Sequence, residues 1–228
     1  MRIIPLFFIA CLLGAISLPA HANPLNRWKV SCGADKGSIT KQGKTRIFRT
    51  SANHCPGGIF NQRAEISTDK VRPNHKGRYL FSSTISMTNT RNDRFGIFQI
   101  HDGRHGCAPP LSVLVRSDGR FKLQADYKTG PGESCIRDVF RQNSTSVRFK
   151  RDGRPQKLEV LIDFLGGARF DVQVLLDGKL AAQGQYRPPE GDGFIASKHF
   201  YFKHGVYSQH MFNYELISQD MKVRKVHQ

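Results

Sequence analysis

Alternation of apolar and polar residues with a period of two is the feature of this sequence that most limits its fold. It recurs in residues 79–87, 111–115, 121–127 and 170–176, and the apolar positions are rich in β-branched and aromatic side chains. Successive side chains of a strand point to opposite faces, so this period predicts strands with one buried face. Beyond the N-terminal apolar run, no stretch sustains a helical period for three turns. The sequence therefore predicts an all-β fold.

Turn-forming residues separate these segments. Ser117-Asp-Gly, Arg151-Asp-Gly, Leu165-Gly-Gly and Asp177-Gly are the residue types found where antiparallel strands reverse, and residues 157–179 are predicted to form a hairpin. Many short strands in one chain must stack or close their sheets to bury one face and limit exposed edges. We expect a sandwich, jelly roll or barrel of antiparallel sheets, in which one concave sheet holds a long ligand.

The N-terminus has the three parts of a secretory signal peptide. Met1-Arg2 precedes an apolar run over residues 3–18, and Ala20-His-Ala22 is typical of a cleavage site. The run is shorter than the ~20 apolar residues of a membrane span. An acylation site at Cys11 is a weaker alternative, because this cysteine lies inside the apolar run. We expect cleavage after Ala22, one domain over residues 23–228, and a secreted or periplasmic protein without membrane association.

The cysteines of the mature chain predict disulfides. Cys32, Cys55, Cys107 and Cys135 form an even set in a protein sent to an oxidising compartment. Their three possible pairings remain open, and we favour Cys32 with Cys55 and Cys107 with Cys135 because short loops close at a lower entropic cost. No CxxC pair occurs, which argues against structural zinc.

The net charge favours a polyanionic partner. The chain carries a formal charge of +17, or +16 without Arg2. Acidic polysaccharide, lipopolysaccharide and DNA all meet secreted proteins, and a basic surface also promotes solubility, so charge alone does not choose among them.

Three segments carry the residue types that β-elimination from a uronate requires. They are Gln62-Arg-Ala-Glu-Ile66, Phe98-Gln-Ile-His101 and Phe200-Tyr-Phe-Lys-His-Gly-Val-Tyr-Ser-Gln209. Together they resemble the alginate lyases of polysaccharide lyase family 7, whose motifs are R-[ST]-E-L, Q-[IV]-H and Y-F-K-A-G-x-Y-x-Q. The resemblance covers most of the mature chain in order and spacing. It implies a β-jelly roll sandwich of two antiparallel sheets with a concave substrate groove.

The resemblance also implies roles for individual residues. Arg63 and Gln99 would bind the substrate carboxylate, His101 would act as base, and Tyr207 as acid or as acid and base. The substrate-binding positions would be Glu65, Tyr201, Lys203 and Gln209. The expected activity is that of a monomeric lyase acting on an anionic polysaccharide, most simply alginate, without a cofactor or metal.

Because the sequence departs from the family motifs at three positions, the resemblance does not fix the identity of the substrate. Ala64, Ser67 and His204 differ from the usual residues, and we expect all three changes to touch the groove. Glucuronan or another glucuronate polymer is therefore an alternative substrate to alginate. By similarity to the family, Ile100 suggests that guluronate is accepted. A non-catalytic jelly roll that binds acidic glycans is the other alternative.

Each site residue also has a simpler interpretation when taken alone. Arg63 could be an ion-pair partner of Glu65, and Tyr207 a core residue with a wetted hydroxyl. His101 and His105 have the spacing of a metal pair, but the intervening Asp-Gly-Arg indicates a loop. Aromatic residues near Lys203 could stack nucleic-acid bases, but an alternating core strand explains them equally well, and no nucleic acid is expected.

Overall fold

The computed structural model describes residues 23–53, 62–191 and 193–226. A short 3-10 helix, Pro24–Asn26, precedes the strands and begins where the Asn23 side chain accepts a hydrogen bond from the N–H of Leu25. The strands, in chain order, are β1 (Lys29–Val30), β2 (Ile39–Gln42), β3 (Thr45–Arg49), β4 (Gln62–Ser67), β5 (Lys76–Asn89), β6 (Phe95–His101), β7 (Leu111–Val115), β8 (Phe121–Gln124), β9 (Tyr127–Lys128), β10 (Cys135–Ile136), β11 (Arg141–Ser144), β12 (Gln156–Gly166), β13 (Arg169–Leu176), β14 (Lys179–Tyr186), β15 (Tyr201–Ser208) and β16 (Tyr214–Val226). The all-β prediction is confirmed.

The strands form two large antiparallel sheets and one small one. The six-stranded sheet has the order β1-β4-β15-β6-β7-β8, and the eight-stranded sheet has the order β11-β14-β13-β12-β5-β16-β3-β2. Strands β9 and β10 pair separately. Because β4, β15 and β6 are adjacent although distant in sequence, the fold brings the three segments singled out above side by side.

The predicted alternation matches the observed strands. Residues 79–87 lie within β5, residues 111–115 coincide with β7, and residues 170–176 lie in β13. The predicted hairpin is formed by β12 and β13, which turn at Gly166–Ala168 and pair from Leu158 with Leu176 to Gly166 with Arg169. Residues 121–127 are divided between β8 and β9.

The core fills the space between the two large sheets. Phe81 of the eight-stranded sheet packs on Phe98 of the six-stranded sheet, with ring centroids 4.9 Å apart, and Phe164 stacks on Phe202 at 6.2 Å. These residues belong to one continuous apolar cluster. Since that cluster uses the inner face of the six-stranded sheet, side chains of alternate parity on β4, β6 and β15, among them Arg63, Gln99 and Lys203, occupy its outer face.

A disulfide joins Cys107 to Cys135, which confirms one predicted pair. Cys32 is also disulfide-bonded, but Cys55, its predicted partner, lies outside the described residues, as does the predicted signal peptide. Within the part of the chain that the structure describes, no helix has the length and apolar character of a membrane span.

Candidate active site

A row of polar residues crosses the outer face of the six-stranded sheet. Ser67 of β4 pairs with Lys203 of β15, Lys203 with Gln99 of β6, Gln99 with Ser112 of β7, and Ser112 with Gln124 of β8. Directly paired residues share one face of a sheet. This row forms the floor of a groove with an empty volume of about 1170 Å³, which Lys203, Gln99, Ser112 and Gln124 line.

The four residues predicted to be catalytic line this same groove. Arg63 and Tyr207 are paired across β4 and β15, and the guanidinium carbon lies 5.7 Å from the Tyr207 ring centroid. His101 is paired with Tyr201, and their rings stack at 5.4 Å between centroids. Gln99 lies two residues from His101 on the same face of β6. Gln209, which directly follows β15, also lines the groove.

A β-bulge sets the position of Tyr207. Between His204 and Tyr207 the register of β15 against β6 shifts, so that Tyr207 lies opposite Gly96. Gly205, inside the bulge, has φ of 137°, and a Cβ atom there would lie 2.1 Å from the carbonyl oxygen of Ala64. A Cβ at Gly96 would lie 3.5 Å from the Tyr207 ring. Gly205 therefore allows β15 to pair closely with β4, whereas a side chain at Gly96 would make an ordinary contact with the ring.

A buried cluster of three charges supports one end of the groove. The Nε of Arg63 and the Nζ of Lys203 lie 3.0 and 3.5 Å from the same Glu65 carboxylate oxygen. The exposed fractions are 4% for Arg63, 1% for Glu65 and 2% for Lys203. The cluster carries a net charge of +1, so it presents positive charge to the groove. Glu65, predicted to bind substrate, is directed at these two cations and is not among the groove-lining residues.

His101 is held as a neutral imidazole. Burial lowers the pKa of His101 well below 6.5, and the positive charges of Lys203 and Arg63 lower it further. Its Nδ1 accepts a hydrogen bond of 2.8 Å from the backbone N–H of Gly103 and lies 3.3 Å from the hydroxyl of Tyr201. A backbone N–H can only donate, so the neutral ring carries its proton on Nε2.

Tyr207 is held as a protonated phenol. Burial raises the pKa of Tyr207 to about 12, with Glu65 adding to the rise and Arg63 opposing it. Burial likewise raises the pKa of Tyr201 to about 12. At neutral pH the groove therefore contains a neutral imidazole beside phenols that still hold their protons.

Several residues in and behind the groove wall were not predicted. Asp102, buried behind the wall, accepts a hydrogen bond of 2.8 Å from Ser197 and pairs with the groove-lining Arg104, which fixes the loop that follows His101. The ion pair of Arg137 with Asp126 lies in the same wall, next to the predicted disulfide at Cys107. Of the missed positions, Ser112 and Gln124 carried a usable signal, since both are polar members of alternating strands; the wall residues lie in irregular segments.

Two of the three departures from the family motifs lie in the core, contrary to expectation. His204 is fully buried; its ring lies 2.9 Å from the Ile97 carbonyl oxygen and 2.5 Å from the Ser218 hydroxyl on the other sheet. Ala64 is also fully buried, on the inner face of β4. Only Ser67 lies on the outer face. His204 and Ala64 therefore affect packing between the sheets, because their parity on the strands turns them away from the groove.

Among residues 23–53, 62–191 and 193–226, no group of three or more His, Cys, Asp or Glu side chains is arranged to hold a metal ion. His101 and His105 both line the groove, but their loop does not bring a third ligand to them.

Comparison with known proteins identifies the fold through solved structures. No protein-family model and no curated protein matches the sequence. Among solved structures, an alginate lyase of polysaccharide lyase family 7 superposes with a TM-score of 0.55 at 13% identity, covering 89% of this chain and 96% of its own. An alginate lyase from Alteromonas sp. 272 gives a TM-score of 0.56 at 12% identity, covering 89% and 95%. One from Pseudomonas aeruginosa gives 0.52 at 17% identity, covering 83% and 86%. The chain thus has the β-jelly roll fold of these polysaccharide lyases, as predicted.

Proposed function

We propose that this protein is a polysaccharide lyase that cleaves an acidic polyuronate by β-elimination. The observation that carries the proposal is the convergence of Arg63, Gln99, His101 and Tyr207, from three separate segments, on one groove with a positive net charge. The fold shared with alginate lyases supports it.

The first requirement of the reaction is charge stabilisation. The C5 proton of a uronate is weakly acidic, and its removal builds negative charge on the neighbouring carboxyl group. Arg63 offers a permanent planar cation, and Gln99 an amide that donates hydrogen bonds. Glu65, which is also paired with Lys203, holds this guanidinium in place, and all three side chains are almost fully buried. Glu65 is thus a positioning residue in the proposed reaction.

The second requirement is a base and an acid in opposite protonation states. In the proposed step, His101 takes the C5 proton, the electron pair forms the C4=C5 double bond, the C4–O4 bond breaks, and Tyr207 gives its proton to O4. The neutral state of His101 and the protonated state of Tyr207 match these roles. When Nδ1 serves as the base, the hydrogen bond from Gly103 is released, which costs about 1 kcal/mol. This cost is small beside the barrier that the site must lower.

Which residue acts as the base depends on the stereochemistry of the uronate. In guluronate the C5 proton and O4 lie on opposite faces, so His101 and Tyr207 act from the two sides. In mannuronate they share a face, and Tyr207 performs both transfers: its phenol first gives up its proton to solvent or to the neutral His101, and the phenolate, opposite the positive charge of Arg63, then takes the C5 proton and returns it to O4. Alginate, which contains both sugars, is the proposed substrate, with glucuronan as the alternative. We propose that the monomeric enzyme acts outside the cytoplasm, after loss of residues 1–22.

A substrate panel tests the proposal. Residues 23–228 are incubated with polymannuronate, polyguluronate, polyglucuronate and a neutral glucan, and ultraviolet absorbance from the new double bond is followed. The proposal predicts a rise with at least one polyuronate and none with the glucan. If the protein binds polyuronates but absorbance does not rise, it is a glycan-binding protein instead. If it binds DNA with an affinity that falls steeply with salt, and does not bind the polysaccharides, it is a nucleic-acid binder.

A further inference from the structure

Among the described residues, one cation of the groove has no carboxylate partner. The groove-lining arginine and lysine residues are Arg63, Arg94, Arg104, Arg137 and Lys203. Arg63 and Lys203 share Glu65, Arg104 pairs with Asp102, and Arg137 pairs with Asp126 and Glu133. Within the described part of the chain, no carboxylate lies within ion-pair distance of Arg94. Arg94 is therefore the groove cation that is open to an anion from solution.

The position of Arg94 is fixed relative to Tyr207. Arg94 directly precedes β6, and its carbonyl oxygen accepts a hydrogen bond of 2.9 Å from the hydroxyl of Ser208, the residue after Tyr207. This bond ties the backbone of Arg94 to the end of β15. The positive charge of Arg94 opposes part of the rise in the pKa of Tyr207 that burial causes, which agrees with this placement. The Arg94 side chain is exposed, which leaves its guanidinium accessible.

The role that we infer for Arg94 follows from the chemistry of the proposed reaction and therefore rests on the proposed function. Tyr207 gives its proton to O4, and after C4–O4 cleavage O4 stays with the sugar that leaves. Arg94 comes two residues before Gly96, which lies opposite Tyr207, whereas Gln99 and Lys203 pair farther along the same two strands. Tyr207 therefore lies between Arg94 and that pair, and we place the leaving sugar on the side of Arg94. Arg63 and Gln99 already take the carboxylate of the sugar that becomes unsaturated.

We propose that Arg94 binds the carboxylate of the sugar on the leaving side, so that the groove selects two consecutive uronates around the cleaved bond. Arginine suits this task because its planar fork matches a carboxylate with two parallel hydrogen bonds. The protein would then prefer homopolymers of uronic acid over polymers in which uronates alternate with neutral sugars. Arg94 is a specificity-determining residue that acts through binding, not through proton transfer.

The test compares two matched oligosaccharides of the polyuronate that the protein cleaves. One carries every carboxylate, and in the other the leaving-side uronate is reduced to the neutral sugar. Wild-type protein, Arg94→Gln, Arg94→Lys and Arg224→Gln are assayed for kcat and KM by ultraviolet absorbance. Arg224 is an exposed arginine on β16 of the other sheet, so its variant controls for loss of one positive charge.

The expected result is a fall of about tenfold in kcat/KM for Arg94→Gln on the fully acidic oligosaccharide, mainly through KM, as for one charge-assisted hydrogen-bonded pair at an exposed site. Arg94→Lys retains part of the rate, and Arg224→Gln retains all of it. On the reduced oligosaccharide Arg94→Gln equals wild type. An equal fall on both oligosaccharides, or no fall on either, overturns the role of Arg94 while leaving the lyase activity established. Absence of turnover by the wild type refutes the proposed function and this inference with it.

Discussion

Replacing Glu65 by glutamine tests the buried charge cluster. The substitution keeps the shape of the side chain but removes the one negative charge between Arg63 and Lys203, which raises the net charge of the cluster from +1 to +2. At an effective dielectric constant of about 20, charges 3.0 and 3.5 Å apart attract each other by roughly 5 kcal/mol per pair. Part of this loss is returned because the Glu65 carboxylate no longer has to be desolvated.

The expected net loss is about 3–5 kcal/mol in the free energy of unfolding, as for other buried pairs that lose one partner. For a domain of this size that lowers Tm by roughly 6–20 °C. Denaturant unfolding followed by circular dichroism measures it. Lys203→Met should recover much of the loss when combined with Glu65→Gln, since the net charge returns to +1. A Glu65→Gln variant within about 1 kcal/mol of wild type, or strictly additive losses, would refute the reasoning.

Further expectations concern the core, the bulge and the disulfide. Burial lowers the pKa of His204 to about 4, so stability present above pH 6.5 should fall by about 3 kcal/mol as pH drops toward 4, and His204→Gln should flatten this slope in pH-dependent unfolding. Gly205→Ala should cost several kcal/mol in unfolding experiments because its Cβ meets the Ala64 carbonyl, whereas Gly178→Ala, with nothing within 4 Å, should cost about 1 kcal/mol. Cys107→Ser should lose roughly 3–4 kcal/mol, the loop-closure value for a separation of 28 residues, in the same measurement.

Much of the fold was predictable because alternation and turn residues act locally. Residues 111–115 coincide with β7, and the hairpin of β12 and β13 turns at the predicted Leu165-Gly-Gly. The placement of Gln99 and His101 on one face followed from strand parity alone. The order of the strands did not follow, because pairing of β4 with β15 depends on contacts between residues far apart in the chain.

The main residues of the candidate site were predicted from the sequence, but the contacts that hold them in place were not. Glu65 was predicted to bind substrate, with an ion pair to Arg63 as the alternative; the approach of Lys203 depends on the pairing of β4 with β15, which the sequence does not reveal. The bulge at Gly205 shifts the register by one residue, which a period-two pattern cannot anticipate. His204 appeared to touch the groove, yet its parity on β15 turns it into the core. Arg94 was missed because it lies just outside a strand and forms no recognisable motif.

Proton transfer by Tyr207 is the step on which the proposed β-elimination depends most directly. The most direct test measures the rate at which unsaturated uronate appears with wild-type protein and with Tyr207→Phe, alongside the affinity of both for the polyuronate. We predict a rate lower by roughly 10²–10⁴-fold in the variant, with affinity and Tm close to wild type. A Tyr207→Phe variant that forms the product at the wild-type rate would contradict the account.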